Sequence, residues 1–579
     1  MKAQEKRSLT RRISELGRIA ELHCCNATTL VGTVLAIWCK TDFPALPRPV
    51  LPYSKVLAHD KKVTAFVETL HLLGFLEGSY WLSSLYATVV GEEYRKKLAM
   101  FFTPPSLTNG LLDDLTEQGV DFASQIFLDP ACGGAAFLGP IALRMRETLI
   151  GRGDTSIQVL LHIQGHLYGT DKDAILCELS RQFLCMVLYD EIKETDYLPE
   201  FKVYQADSLC ELFSLFGTID VVVCNPPYRK MTADELRQLR KSVGDVIEMQ
   251  SNLYGLFIGL CVRLLRAGGY AALVTPTSFL SGQHFSKLRT FLMCNTDVIH
   301  IGMVSDRHGV FIDVAQETAL TVLRRRGDSN CNHARAKVSV VSIMGKYKSV
   351  GECFLPNAGA VWPIPRTEGD VALLRAANTS KFRLSDYGYR VRIGAYVWNR
   401  DKRPRYESVK DVKRAKAFTA LPLLWSRDIS QAGFLVFDDT KMDENKHRFV
   451  DFGDKRHPSA VGRPSVVLQR VTSNNQTRRL VAAPVPSRLF AKYSAFIGEN
   501  HIVILEQIKE KPALNVSDMA KLFGTSLVDR CFRCISGATN VSAFEIRQLP
   551  LPDPQKLQAE LNKGLSMEEA AHRSLGLSL

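Results

Sequence analysis

The segment that most constrains this chain reads Asp220-Val-Val-Val-Cys-Asn225-Pro226-Pro227-Tyr228. Its unbroken apolar run has the pattern of a strand buried on both faces, as in the centre of a parallel sheet. Two prolines then stop the strand, because neither carries an N–H for the ladder. The result is a rigid loop at the carboxyl end of a central strand, where open α/β sheets hold their ligands. Asn225 offers a side-chain carbonyl there, and Pro226 a backbone carbonyl with no strand partner. Together they can accept both hydrogens of a planar amine. The amine is tilted toward a geometry whose lone pair can attack an electrophilic methyl group. The ring of Tyr228 suits the flat group that bears the amine.

A second signal lies upstream, where Phe127-Leu128 runs into Asp129-Pro130-Ala131-Cys132-Gly133. A strand passes into an acidic residue and a loop of small residues, which lets backbone approach a ligand closely. The loop lacks GxGxxG, and no Gly-Lys-Ser/Thr follows, so dinucleotide and phosphate-loop readings are disfavoured. Asp171 and Asp207 follow two further strands, placed to meet ribose hydroxyls and an adenine amine. Short apolar runs at 126–128, 167–169, 202–204, 219–224 and 270–274 alternate with helical patterns at 138–150, 174–189 and 254–265. That alternation predicts an α/β fold, a parallel sheet with helices on both faces.

A chain of 579 residues is too long for one core. Residues 1–95 read as a helical segment, broken by prolines from 44 to 52. Residues 96–345 carry the α/β pattern, 346–555 form a separate mixed α+β region, and 556–579 a polar tail. The net charge of +13 suits a polyanionic partner. Between Lys381 and Lys416 twelve Lys or Arg face four Asp or Glu, with aromatics interleaved. Arg390, Arg392, Tyr396, Trp398 and Arg400 are therefore candidates for nucleic-acid contact. Arg470, Asn474 and Asn475 join them from a second basic stretch, since such side chains meet phosphates and base edges. Cys531 and Cys534 have CxxC spacing, but no second pair completes a zinc site, and no metal is expected. No apolar run reaches the ~18–20 residues of a membrane span. The opening residues do not read as a secretory signal, so a reducing cytoplasmic setting is expected, with no membrane.

Taken in order, these motifs resemble the gamma group of N6-adenine DNA methyltransferases found in restriction–modification systems. Phe101-Phe102-Thr103-Pro104-Pro105 is similar to their leading cofactor motif, though Leu98-Ala-Met precedes it where many relatives carry Gly-Gln. The segment from Ser536 to Pro552 is similar to the one that closes their target-recognition region. The resemblance implies a Rossmann-like domain using S-adenosyl-L-methionine, with a C-terminal region that recognises double-stranded DNA. It implies that Thr103, Asp129, Pro130, Ala131, Cys132, Gly133, Asp171, Asp207 and Asn225 bind the cofactor. Asn225, Pro226, Pro227 and Tyr228 then form the catalytic loop, with Tyr228 and Phe311 as stacking partners of a flipped-out adenine. A separately encoded restriction endonuclease or defence subunit is a possible partner. Cytosine N4, RNA and protein glutamine stay open as alternative substrates, as does a DNA-binding modification subunit that needs a partner. The Pro-Cys dipeptide of cytosine-C5 enzymes is absent from the chain.

Overall fold

The computed structural model describes all residues except 1–2, 240–242, 249–250, 305–316, 328–334, 343, 357–358, 441–446, 473–475, 538 and 579. The chain divides into two compact units, Met1–Phe279 with His284–Ala360, and Leu280–Gln283 with Val361–Leu579.

The first unit is built on a nine-stranded sheet. Its strands are β1 (Phe127–Asp129), β2 (Leu167–Asp171), β3 (Lys202–Gln205), β4 (Ile219–Cys224), β5 (Leu265–Pro276), β6 (Thr296–Val304), β7 (Thr318–Arg325), β8 (Arg335–Val341) and β9 (Tyr347–Phe354). Their order is β3-β2-β1-β4-β5-β7-β6-β8-β9. The first five strands in that order run parallel. β7 lies antiparallel between β5 and β6, β8 runs parallel to β6, and β9 closes the edge antiparallel to β8. β4 sits in the middle, and Val221, Val222, Val223 and Cys224 are fully buried, as its unbroken apolar run requires. β5 starts five residues earlier than the sequence predicts. Arg266-Ala-Gly-Gly reads as a turn, yet Leu265 pairs with Ile219 across a register shift.

The N-terminal helices share one continuous core with the sheet. Helix Ala27–Asp42 places Trp38 against Phe75 and Phe183, with centroids 6.5 Å away in each case. Phe183 belongs to helix Ala174–Val187, which follows β2. Gly134 shows how close this packing is. A Cβ there would stand 1.9 Å from Ser83 Oγ on helix Phe75–Val89. Among the described residues no single helix is long and apolar enough to cross a membrane.

The second unit is α+β. One antiparallel sheet orders β10 (Tyr389–Ile393), β17 (Ile502–Gln507), β14 (Ser465–Gln469) and β15 (Ala482–Pro484). A second orders β11 (Arg405–Tyr406), β13 (Phe449–Asp451), β12 (Ala420–Leu424) and β16 (Ile497–Gly498). The stretch from 556, expected as a tail, holds most of helix Pro554–Asn562 and all of helix Met567–Ser574. Leu557, Ala570 and Ala571 of these helices are buried in this unit's core.

Candidate active site

The carboxyl ends of β1, β2 and β4 open onto a cavity of about 310 Å³. The loop after β1 forms its floor. Asp129 ends β1 almost fully buried and accepts from the Ala131 N–H at 3.0 Å. Cys132 N–H donates to Thr170 O, which ties the loop to β2. Gly133 takes φ +50°, a left-handed conformation that glycine adopts at little cost, and its N–H donates to Asp171 Oδ2 at 3.0 Å. Two serines clamp the loop from outside. Ser180 Oγ donates to Gly133 O at 2.7 Å, and Ser208 Oγ to Pro130 O at 2.6 Å.

Burial gives this floor an unusual electrostatic character. Loss of water pushes the Asp129 carboxyl up to about 8, against the opposing pull of the Ala131 N–H, and the neighbouring Asp171 adds to the rise. Asp171 rises to about 6 for the same first reason, while the N–H groups of Asp173 and Gly133 pull it down. No Lys or Arg among the described residues lies within ion-pair distance of either carboxyl. Lys172 and Arg229 also line the cavity but pair with Asp207 and Glu235, so these two carboxyls are left for a cationic group of a ligand. Asp207 differs: it caps the short helix Ser208–Glu211 and pairs with Lys172 Nζ at 2.7 Å.

Thr103 reaches the same cavity from the other side. Its Oγ1 is buried without a hydrogen-bond partner, an unsatisfied polar atom in a residue of the cavity wall. Thr103 precedes helix Pro105–Glu117, which is fastened to the sheet. Asp114 on that helix meets His300 Nδ1 of β6 at 2.5 Å, and His300 Nε2 meets Ser339 Oγ of β8 at 2.9 Å.

The fourth wall is the loop after β4. Asn225 and Pro227 line the cavity, and Pro226 and Tyr228 flank it. Asn225 is held at both ends. Its Nδ2 donates to Phe101 O at 2.8 Å, and its Oδ1 accepts from the Tyr228 hydroxyl at 2.6 Å. The same hydroxyl lies 2.8 Å from Val274 O. No backbone N–H of the described residues bonds the Pro226 carbonyl. The Tyr228 ring lies parallel to Phe101, 16° between planes and 6.4 Å between centroids, and edge-on to Tyr254. Burial pushes the Tyr228 phenol well up.

Thr103, Asp129, Pro130, Ala131, Cys132, Gly133, Asp171, Asp207 and Asn225, drawn from five separate segments of the chain, thus meet at one cavity. Phe311 lies outside the described residues, as do Asn474 and Asn475. The structure adds groups that sequence reasoning missed. The Phe101 carbonyl that orients Asn225 and the two clamping serines carry no signal in sequence, because they act through backbone contacts. Arg229 and Glu235, paired at 2.6 Å, also line the cavity. Arg229 holds the Glu235 carboxyl down to about 2. Thr232-x-x-Glu235 is a readable capping box.

In the second unit the basic candidates separate. Arg390 and Arg392 both pair with the buried carboxylate of Glu506, at 2.7 and 3.1 Å. Tyr396 is fully buried, edge-on to Trp425. Arg470 donates to Asn500 O at 2.7 Å. Trp398 and Arg400 are exposed.

Comparison with known proteins places residues 165–311 in a match to the Eco57I restriction-modification methylase family. The chain is 25% identical over 495 residues to the Type II methyltransferase M.PstI of Providencia stuartii, covering 82% of this chain and 91% of that one. It is 29% identical over 222 residues to the Type II methyltransferase M.BstVI of Geobacillus stearothermophilus, covering 37% of this chain and 39% of that one. Among solved structures, the Type IIL restriction-modification enzyme MmeI in complex with DNA superposes with a TM-score of 0.52 at 12% identity. That match covers 89% of this chain and 76% of the other, and at such identity the likeness is one of fold. The nine-stranded sheet with its helical N-terminal segment is the α/β methyltransferase fold that the sequence predicts.

Proposed function

We propose that this chain, a methyltransferase of the restriction–modification type, methylates the N6 amine of adenine in double-stranded DNA, using S-adenosyl-L-methionine. The observation that carries the reading is the Asn225-Pro-Pro-Tyr228 loop, rigid at the end of β4 and opening on the same cavity as Asp129, Asp171 and Thr103. The cavity residues fit the cofactor. Two carboxyls with no ion-pair partner of their own among the described residues suit its positive charges, and Thr103 stands in the same wall beside its amino-acid part. When bound, the cofactor supplies an electrophilic methyl group on a sulfonium.

The chain's own residues do the rest by positioning. An adenine inside a duplex cannot reach the cavity, so it must swing out of the stack, at a cost of about a few kcal/mol. Stacking on the Tyr228 ring returns about 1–3 kcal/mol. Asn225 Oδ1 and the Pro226 carbonyl then accept the two N6 hydrogens. Phe101 O fixes the Asn225 amide so that its Oδ1 faces the incoming amine. Held this way, the N6 lone pair would face the methyl group that the cofactor supplies with its sulfur as leaving group, and the proton that N6 gives up would pass to water. No covalent bond to the enzyme forms.

The test incubates the protein with methyl-labelled cofactor and unmethylated DNA and identifies the labelled nucleoside, with RNA and protein extracts as parallel substrates. The expected result is label in N6-methyladenine that is lost in Asn225→Ala. Label in N4-methylcytosine would keep the mechanism and overturn the base. A cofactor-binding protein that labels no DNA would overturn the reading.

A further inference from the structure

We propose that Phe418 is an aromatic wedge that enters the base stack of bound DNA. The proposal rests on the reading that the substrate is duplex DNA, and names a feature of the second unit that takes hold of it.

Phe418 is 71% exposed, and a single exposed aromatic is ordinary. What surrounds it is not. Phe418 and Thr419 are the central residues of a tight turn closed by the Ala420 N–H donating to Ala417 O at 3.0 Å. Ala417 and Ala420, on either side of the tip, are buried with Phe449 in a small apolar cluster, and Tyr406, Val409 and Val412 pack on it. The Ala417 N–H also donates to Val412 O at 3.0 Å, fastening the turn to helix Val409–Arg414. Ser408 caps that helix by accepting from the Asp411 N–H. Lys416 holds φ +53°, a left-handed conformation that costs a residue with a side chain and is here imposed by its surroundings. The ring is therefore raised on a fixed pedestal, and little order remains to be gained on binding.

A run of exposed cations leads up to the tip. Lys410, Lys413, Arg414 and Lys416 are all exposed within eight positions of Phe418. Only Arg414 has a carboxylate within 4 Å among the described residues, Asp411 at 3.9 Å. Cations free of ion pairing neutralise phosphates, and a rigid apolar side chain next to them can separate adjacent base pairs and kink the duplex. A protein surface could cover one phenylalanine, but it would not call for an unpaired cation cluster. Phe434 supplies the contrast. It is 67% exposed where another turn of the same unit closes, the Ser430 N–H donating to Phe434 O, and within eight positions it has only Arg427 and Lys441 against the four exposed cations before Phe418.

The test begins by mapping the methylated sequence from DNA treated with the unaltered protein. Duplexes carrying that sequence then receive 2-aminopurine at successive positions on either side of the target base. The unaltered protein should brighten one step apart from the target, which reports local unstacking. Phe418→Ala should lose that signal and lower kcat/KM for methyl transfer at least tenfold, with an unchanged melting temperature. Phe418→Trp should restore both, and Phe434→Ala should match the unaltered protein. Phe418→Ala that keeps full transfer and the same bright step overturns the wedge while leaving the methyltransferase reading intact. Loss of transfer with the bright step retained also overturns it. If the unaltered protein labels no DNA, the reading of function falls first and the wedge with it.

Discussion

At the scale of single residues, the candidate site is organised by what holds Asn225 and by what burial does to Asp129. The Tyr228 hydroxyl at 2.6 Å and the Phe101 carbonyl at 2.8 Å leave the Asn225 amide one orientation. Tyr228→Phe keeps the ring but removes the bond. A net hydrogen bond is worth about 1 kcal/mol, so methyl transfer should fall roughly 5–10-fold while cofactor affinity in calorimetry stays unchanged. A loss confined to cofactor affinity would contradict the positioning role. Asp129 gives a pH test. Its carboxyl, raised to about 8 by burial, is mainly neutral at pH 7, whereas a cationic ligand needs it charged. Cofactor affinity should therefore strengthen as pH rises from 6 to 8 and level off above, with a proton released on binding. Stability of the unliganded protein runs the other way. The folded state holds a proton that the unfolded chain has lost, so stability declines as pH rises from about 4 to 8. Asp129→Asn should melt higher than the unaltered protein at pH 8, yet bind cofactor weakly, with only the pH dependence near 6 that Asp171 leaves. A pH-independent affinity in the unaltered protein would refute this account.

At the scale of elements, strand ends and loops were legible because their chemistry is contiguous. The run into Asn225-Pro-Pro could only be a central strand followed by a rigid loop, and β4 is that strand. β5 was only partly legible. Its glycines look like a turn until pairing with β4 supplies the reason to extend. β8 and the edge strand β9 are not legible, because half-exposed strands such as Tyr347–Phe354 lack a continuous apolar run. The fit between the small-residue loop and the N-terminal helices was not legible either, since Ser83 and Gly134 are far apart in sequence. Their close approach predicts an outcome. Gly134→Ala would push a methyl into Ser83, so the loop or helix Phe75–Val89 must shift, costing about 1–3 kcal/mol. Thermal melting should fall and cofactor binding weaken together, with partial recovery when Ser83→Gly is added.

At the scale of the whole molecule, the charge of +13 predicts DNA binding that weakens with salt, but only some of that charge is free to act. Arg390 and Arg392 share the single carboxylate of Glu506, which cancels one of their two charges, and Arg479 is buried over the Phe532 ring. Substituting Lys410, Lys413 and Lys416 together by Gln should flatten the dependence of log affinity on log salt by about 0.9 for each phosphate no longer neutralised. Arg390→Ala and Arg392→Ala should leave that slope nearly unchanged and lower the melting temperature instead. Equal slopes across all three variants would refute the division. The sequence by itself determined the α/β class, the central strand, the loops at its carboxyl edge and the residue types that meet there. Those properties follow from local periodicity, from proline's missing donor and from the short reach between a strand end and its own loop. Only the tertiary structure decided which aromatics and cations stay exposed. Tyr396 and Trp398 look alike in sequence, yet one is core and one is surface. Arg390 reads as a phosphate ligand until Glu506, 116 positions away, comes to rest beside it. Burial and ion pairing are set by neighbours that only the folded chain brings together.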